Sequence, residues 1–269
     1  MSKKGPERAR AAQSIDALDD EKTKGRLAET FCASGSSALL EGDFDEAFDN
    51  FQRALKLDDR MIDARVGLGK VWLEFEEYER ALRCADDALA IDADSPTANE
   101  LRGHALRLLE RNAEALESYA RAIELDKRSY LAFYGRAISY DMLGESAKAL
   151  RDFNSCLALA PEFVFAYYDR AVMLANEKKY AEAIVDYSKA LELDEEFVHC
   201  YVARGEAFYE TRDYQAAIND FNAALDLDPD NPDAYYYRSC AYRRLGNERA
   251  AKRDLQIAKE LGFLEERDA

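Results

Sequence analysis

Ala47, Ala81, Ala115, Ala149, Ala183, Ala217 and Ala251 stand 34 residues apart along a chain of 269, and no other residue type interrupts the series. A fixed period of this length means a stacked array, in which each unit buries its apolar face only against its neighbours. An array is one continuous core, so the usual count of globular domains by length does not apply. The functional question becomes which surface the array presents.

Neighbouring positions keep the same register. Four residues after each alanine come Phe51, Ala85, Tyr119, Phe153, Tyr187, Phe221 and Leu255, and three further on Ala54, Ala88, Ala122, Cys156, Ala190, Ala224 and Ala258. Small, bulky, small at offsets of four and three is one face of a helix. Twelve residues before each alanine lie Gly35, Gly69, Gly103, Ala137, Ala171, Gly205 and Ser239. A second helix therefore precedes the first and approaches closely where its side chain is small. Gly42, Gly144 and Gly246 share the position where that helix must stop and the backbone favours a left-handed turn. Glu76, Glu110, Lys178 and Arg212 occupy the position elsewhere, so those turns need another geometry or some strain.

This pattern resembles the tetratricopeptide repeat family, whose unit is a helix, a turn and a helix. The resemblance implies an all-α fold, a right-handed superhelical α-solenoid of seven repeats at 28–61, 62–95, 96–129, 130–163, 164–197, 198–231 and 232–265, the last also forming the cap. Residues 1–27 read as a basic, charged and partly disordered tail, and 266–269 as a short one. Departures are mild. The family's tryptophan position holds Phe31, Arg65, Asn99, Phe133, Tyr167, Tyr201 and Tyr235, and its late proline survives only as Pro161 and Pro229. Repeats one to three are the less regular part.

A net charge of −17, from 37 Lys and Arg against 54 Asp and Glu, opposes binding to nucleic acid, which needs a positive field along the contact face. No run of 18 apolar residues exists and the amino terminus lacks a secretory leader, so the expectation is a cytoplasmic protein without a membrane span. Five cysteines form no C-x-x-C pair; Cys84 and Cys156 fall at packing positions and read as small buried hydrophobes. His104 and His199 read as isolated surface histidines, so no metal or cofactor is expected. Cys200 follows His199, but adjacent helix residues point ~100° apart and make no dyad. With no phosphate loop and no G-x-S-x-G, the chain reads as a non-enzyme.

A second register runs through Arg102, Arg136, Arg170, Arg204 and Arg238, and a third through Asp152, Asp186, Asp220 and Asp254. Repeats four to seven hold both residues, and pairing inside each repeat leaves no aspartate over. The registers predict an intra-repeat clamp between two helices, with Ser118 in the acidic position of repeat three.

Packing takes within-repeat positions 4, 8 and 11 of the first helix, whereas positions 2, 5, 9 and 12 form a stripe about 100° away. By the resemblance, this stripe lines a concave groove that binds peptides. It holds Leu131, Tyr134 and Ile138, then Phe165, Tyr168 and Val172, then His199, Val202, Glu206 and Tyr209, then Tyr236, Cys240, Arg243 and the adjoining Arg244. In repeats one to three it holds Cys32, Ser36, Leu39, Val66, Lys70, Leu73, Glu100, His104 and Arg107, without aromatic anchors. Two groove chemistries of the family fit poorly: the carboxylate clamp for chaperone tails meets Cys32, Ser36, Gly67, Thr97 and Leu101, and an asparagine ladder finds no asparagine. Arg243, Arg244, Arg249, Lys252 and Arg253 read as the polar outer face of a last repeat, with a docking patch for an acidic partner as the alternative.

The expected function is a scaffold or adaptor that binds a peptide or amphipathic helix, neutral to basic with apolar anchors, in an aromatic groove over repeats four to seven. Self-assembly through the groove and a terminal helix is the alternative, and a regulatory subunit of an enzyme complex a more remote one.

Overall fold

The computed structural model describes residues 20–263, and among them are fourteen helices and no strand. They run α1 (Glu21–Glu41), α2 (Phe44–Leu57), α3 (Ile62–Glu74), α4 (Tyr78–Ile91), α5 (Pro96–Leu108), α6 (Asn112–Leu125), α7 (Tyr130–Met142), α8 (Ser146–Leu159), α9 (Val164–Asn176), α10 (Tyr180–Leu193), α11 (Val198–Glu210), α12 (Tyr214–Leu227), α13 (Pro232–Arg244) and α14 (Glu248–Glu260). The chain is an all-α solenoid of helix pairs. The odd-numbered helices from α3 onward begin at the residues where the sequence repeats open. Only α1 starts earlier, at Glu21, where the Asp20 carboxylate accepts from the backbone N–H groups of Lys22 and Thr23. Part of the expected tail is thus helix, while residues 1–19 and 264–269 lie outside the described residues.

All seven turns inside the repeats share one geometry. Gly42, Gly144 and Gly246 have φ of 78°, 75° and 77°, and Glu76, Glu110, Lys178 and Arg212 adopt 59°, 60°, 62° and 67°. In each, the next residue's N–H reaches the carbonyl five positions back, as Arg111 does to Leu106 at 2.8 Å and Glu145 to Tyr140 at 2.8 Å. The non-glycine turns therefore keep the geometry and carry strain, because a left-handed L-residue costs ~1–2 kcal/mol. Glu110→Gly should raise stability by ~0.5–1 kcal/mol once glycine's greater unfolded-state freedom is subtracted. A melting temperature at or below that of the parent protein would contradict this.

The alanine ladder lies at the contact between paired helices, and all seven of its members are fully buried. Beside it the bulky ring wedges into gaps left by glycine. A Cβ placed on Gly35 would stand 2.9 Å from Phe51, and one on Gly67 only 2.3 Å from the same ring. Tyr119 sits likewise against Gly103 and Gly135, at 2.8 and 2.3 Å. Phe51 thus touches the first helix of its own repeat and that of the next, which is how local helix pairs become an array.

The helices sort into two compact units, α1–α7 and α8–α14, divided between Glu145 and Ser146. The division falls inside the fourth repeat, whereas the sequence changes character between repeats three and four. Arg136 and Asp152 therefore belong to different units. The other three arginine and aspartate pairs lie in the second unit and close within their own repeats. Arg170 donates from Nε and Nη2 to both Asp186 oxygens at 2.6 Å, Arg204 to both of Asp220 at 2.8 and 2.7 Å, and Arg238 from Nε to Asp254 at 2.6 Å.

The clamp spans three helices, not the expected two. Nη1 of each arginine also reaches the second helix of the preceding repeat, at Asn154, Ser188 and Asn222. Rings at the family's tryptophan position complete the arrangement: Tyr167, Tyr201 and Tyr235 lie under Arg170, Arg204 and Arg238, 5.2 to 5.8 Å from guanidinium carbon to ring centre. Arg102, in the first unit, donates to Ser118 and takes its carboxylate from Asp86 in the preceding repeat, both at 2.8 Å. Asn99 replaces the ring there.

Candidate binding surfaces

In the first unit the stripe residues line two adjoining cavities. The larger, about 710 Å³, is bordered by Cys32, Ser36 and Val66, and the second, about 530 Å³, by Leu73, Glu100, His104 and Arg107; Leu39, Leu40 and Lys70 border both. Every stripe residue of repeats one to three is on one of these walls. Leu131 and Tyr134 of α7 join the second cavity, so this half of the array is not without an aromatic anchor. Leu40 is 90% exposed at its edge.

His104 corrects the expectation of a surface histidine. It is half-buried on the cavity wall, and burial, reinforced by the cations of Arg107 and Lys70, pushes its pKa down to about 4. The ring is neutral at neutral pH. The Nε–H of Arg107 is covered and has no hydrogen-bond partner. Cys84 is half-buried rather than enclosed, with its thiol pushed up to about 11 by burial, whereas Cys156 is buried and pushed up to about 12. The Cys200 thiol donates to the Tyr187 carbonyl at 3.4 Å and His199 beside it is exposed, so the two share no chemistry.

In the second unit the stripe runs along α9, α11 and α13. Phe165 is 55% exposed, Tyr168 and Val172 are half-buried, and Val202 is buried. Two residues that positions 2, 5, 9 and 12 do not capture, Phe163 and Phe197, join these rings into one platform. Phe197 lies 6.0 Å from Phe165, 4.8 Å from Tyr168 and 6.5 Å from His199 between ring centres, and Phe163 lies 5.9 Å from Phe165.

Their signal was present in the register. Phe163 and Phe197 occupy the N-cap position that Ser95, Ser129 and Asn231 fill in other repeats, where the side-chain oxygen accepts from the backbone. α9 and α11 have no such bond. Giving up a polar cap costs ~1 kcal/mol per helix, a sacrifice that local helix stability does not explain.

Farther along the stripe, Arg244 donates to the Tyr209 hydroxyl at 3.0 Å and lies over its ring, Glu206 is half-buried, and Arg243 is exposed. Tyr236 is stacked at 4.1 Å on Phe263, which folds back after Gly262. The sequence stripe is therefore not one uniform surface: Leu131, Tyr134 and Ile138 belong to the first unit, Phe165 to Tyr168 form an open platform in the second, and Tyr236 is covered by the chain itself.

Four stretches match sequence models of one family: residues 38–105, 100–162 and 164–197 match models described as tetratricopeptide repeat, and 205–246 one described as TPR repeat. The chain belongs to the tetratricopeptide repeat family. A human relative, Tetratricopeptide repeat protein 6, is 30% identical over 99 residues, which is 36% of this chain and 19% of that protein. The alignment thus spans about a fifth of that relative. Among solved structures, MamA is 26% identical with a TM-score of 0.50, over 60% of this chain and 94% of its own. YrrB, described as a TPR protein with an unusual peptide-binding site, is 22% identical with a TM-score of 0.54, over 68% and 95%. PilF of Pseudomonas aeruginosa shares the fold at 18% identity and a TM-score of 0.68, over 84% and 99%.

Among the described residues, no helix is long and apolar enough to cross a membrane, and no group of three or more His, Cys, Asp or Glu could hold a metal ion.

Proposed function

We propose that this tetratricopeptide repeat protein is a non-enzymatic scaffold that captures a segment of another protein on the Phe163, Phe165, Tyr168 and Phe197 platform of its second unit. The observation that carries this reading is the exchange of two polar N-caps for phenylalanine at positions that join exposed Phe165 and half-buried Tyr168 into one aromatic surface. Rings that packing does not need and solvent does not favour mark an interface. Exposed His199 and half-buried Glu206 lie on the same stripe, so the fitting segment is a peptide or amphipathic helix, neutral to basic, that inserts apolar anchors at helical spacing. That YrrB is described as having a peptide-binding site is consistent with this reading. The stacking of Phe263 on Tyr236 weighs against self-assembly through the groove's far end, since the chain's own segment occupies it.

The test begins with a partner captured from native extract and then purified. Phe165→Ala with Tyr168→Ala should weaken direct binding of that partner at least tenfold, because two aromatic anchors carry ~2 kcal/mol or more. Unchanged affinity would remove the platform from the interface.

A further inference from the structure

We propose that the edge of the first unit holds an arginine side chain of a partner protein in a corner formed by Phe44 and Phe75 and rimmed by Glu41, Asp43 and Asp45. None of these residues belongs to the stripe at positions 2, 5, 9 and 12 or to the aromatic platform, and the site stands or falls without them.

The first observation is a ring that packing does not require. Phe75 follows α3, its N–H bonding the Val71 carbonyl at 3.1 Å, and it is 40% exposed. The same within-repeat position holds Glu41, Leu109, Leu143, Glu177, Thr211 and Leu245 in the other repeats, so the turn forms without an aromatic residue. Here the ring centre stands 6.4 Å from that of Phe44 with the planes at 84°, and both rings border an open cavity of about 410 Å³. A ring face attracts a cation through its quadrupole, and a flat guanidinium also stacks on it.

The second is the charge of that cavity. Its remaining lining is Glu41, Gly42, Asp43 and Asp45, without a basic residue. All three carboxylates are exposed; Glu41 accepts the Ser37 hydroxyl at 3.1 Å and Asp43 the Glu46 N–H at 3.0 Å, and among the described residues none of the three has an ion-pair partner. The turn that carries Phe75 adds Glu74, Glu76 and Glu77. Charges beyond ~8 Å are largely screened at physiological salt, so these neighbours decide the sign of the group that settles there.

The third is that the chain already uses this chemistry one ring away. Trp72 lies 6.0 Å from Phe75 at 70°, and the Arg80 guanidinium sits over Trp72, 4.6 Å from carbon to ring centre, while its Nε pairs with Glu77 at 3.5 Å. The protein thus supplies its own arginine to one ring of the cluster and none to the Phe44 and Phe75 corner. An incoming arginine would repeat the Arg80 arrangement, with a ring beneath and a carboxylate beside. Lysine brings the charge but neither the flat face nor the paired donors.

The probe is a fluorescein-labelled, amidated peptide, Gly-Ser-Leu-Arg-Leu-Ser-Gly, compared with its citrulline and lysine counterparts by fluorescence polarisation on the full-length protein. Citrulline keeps the shape of arginine and removes its charge. The arginine peptide should bind about fivefold or more tighter than the citrulline peptide, and about twofold or more tighter than the lysine peptide. Phe75→Leu leaves every charge in place and installs the residue that three other repeats carry; it should lower the arginine to citrulline ratio to about twofold or less. Asp43→Asn with Asp45→Asn should do the same, since asparagine still caps α2. Circular dichroism should show unchanged helix content in both variants. A preference that survives Phe75→Leu would assign the attraction to the acidic surface at large and overturn the site. Equal affinity for arginine and citrulline, lysine bound as tightly as arginine, or no binding of any peptide would overturn it too. Phe165→Ala with Tyr168→Ala should leave the ratio unchanged, and a ratio lost there would place the arginine on the platform instead.

Discussion

Asp220→Ala is expected to destabilise the second unit by ~3 kcal/mol, because breaking a buried pair from one side leaves its partner charged and unmatched. Asp220 is 6% exposed and accepts two bonds from Arg204. After its loss the guanidinium keeps only the Ser188 hydroxyl and the faces of Tyr201 and Phe208. Arg204→Met with Asp220→Leu removes both charges and keeps the volume, and it should return to within ~1 kcal/mol of the parent protein, since a buried pair is often worth no more than well-packed apolar groups. The loss should be local, because each repeat touches only its neighbours. Hydrogen exchange should show α11 and α12 opening first. A single variant within ~0.5 kcal/mol of the parent by urea denaturation, the range of ordinary surface substitutions, would show that the clamp is only an exposed contact.

Gly67→Ala is expected to cost ~2 kcal/mol, as overpacking of a filled core does. The added methyl would fall 2.3 Å from Cζ of Phe51, a ring only 1% exposed and held against Gly35 on its other side. Neither α2 nor α3 can retreat without opening the contact that joins the first repeat to the second. Phe51→Leu alone should cost ~1–3 kcal/mol through the void it leaves. Combined, the two should be less destabilising than their sum by 1 kcal/mol or more, since the methyl enters space the ring has vacated. Strict additivity in urea denaturation would mean that Gly67 is tolerated for reasons unrelated to Phe51.

Much of the geometry was legible in the residues. Helix starts from Ile62 to Pro232 coincide with the repeat openings, and the rule that selects positions 2, 5, 9 and 12 located every cavity wall residue of repeats one to three that it named. The rule works because a helix face is set by 3.6 residues per turn, whatever surrounds it. Ranking the walls by aromatic content was less informative. It pointed away from repeats one to three, whose residues line both cavities, and it treated Tyr236 like Phe165 although one is covered by Phe263 and the other is open. His104 was read as a surface residue because its partners, Lys70 and Arg107, lie 34 residues away in one direction and on the same helix in the other, and spacing alone does not report burial.

By itself, then, the sequence determined the repeat, the pairing of helices and the buried ladder. All are consequences of short-range periodicity acting within one unit and the next. The tertiary structure alone decided which outward side chains stay exposed, that each arginine clamp bridges to the preceding repeat, that Phe163 and Phe197 extend the stripe, and that two cations meet around a neutral histidine. Those outcomes depend on the distances between side chains of different repeats. A period fixes the order in which residues recur, but only packing sets how far apart their ends come to rest.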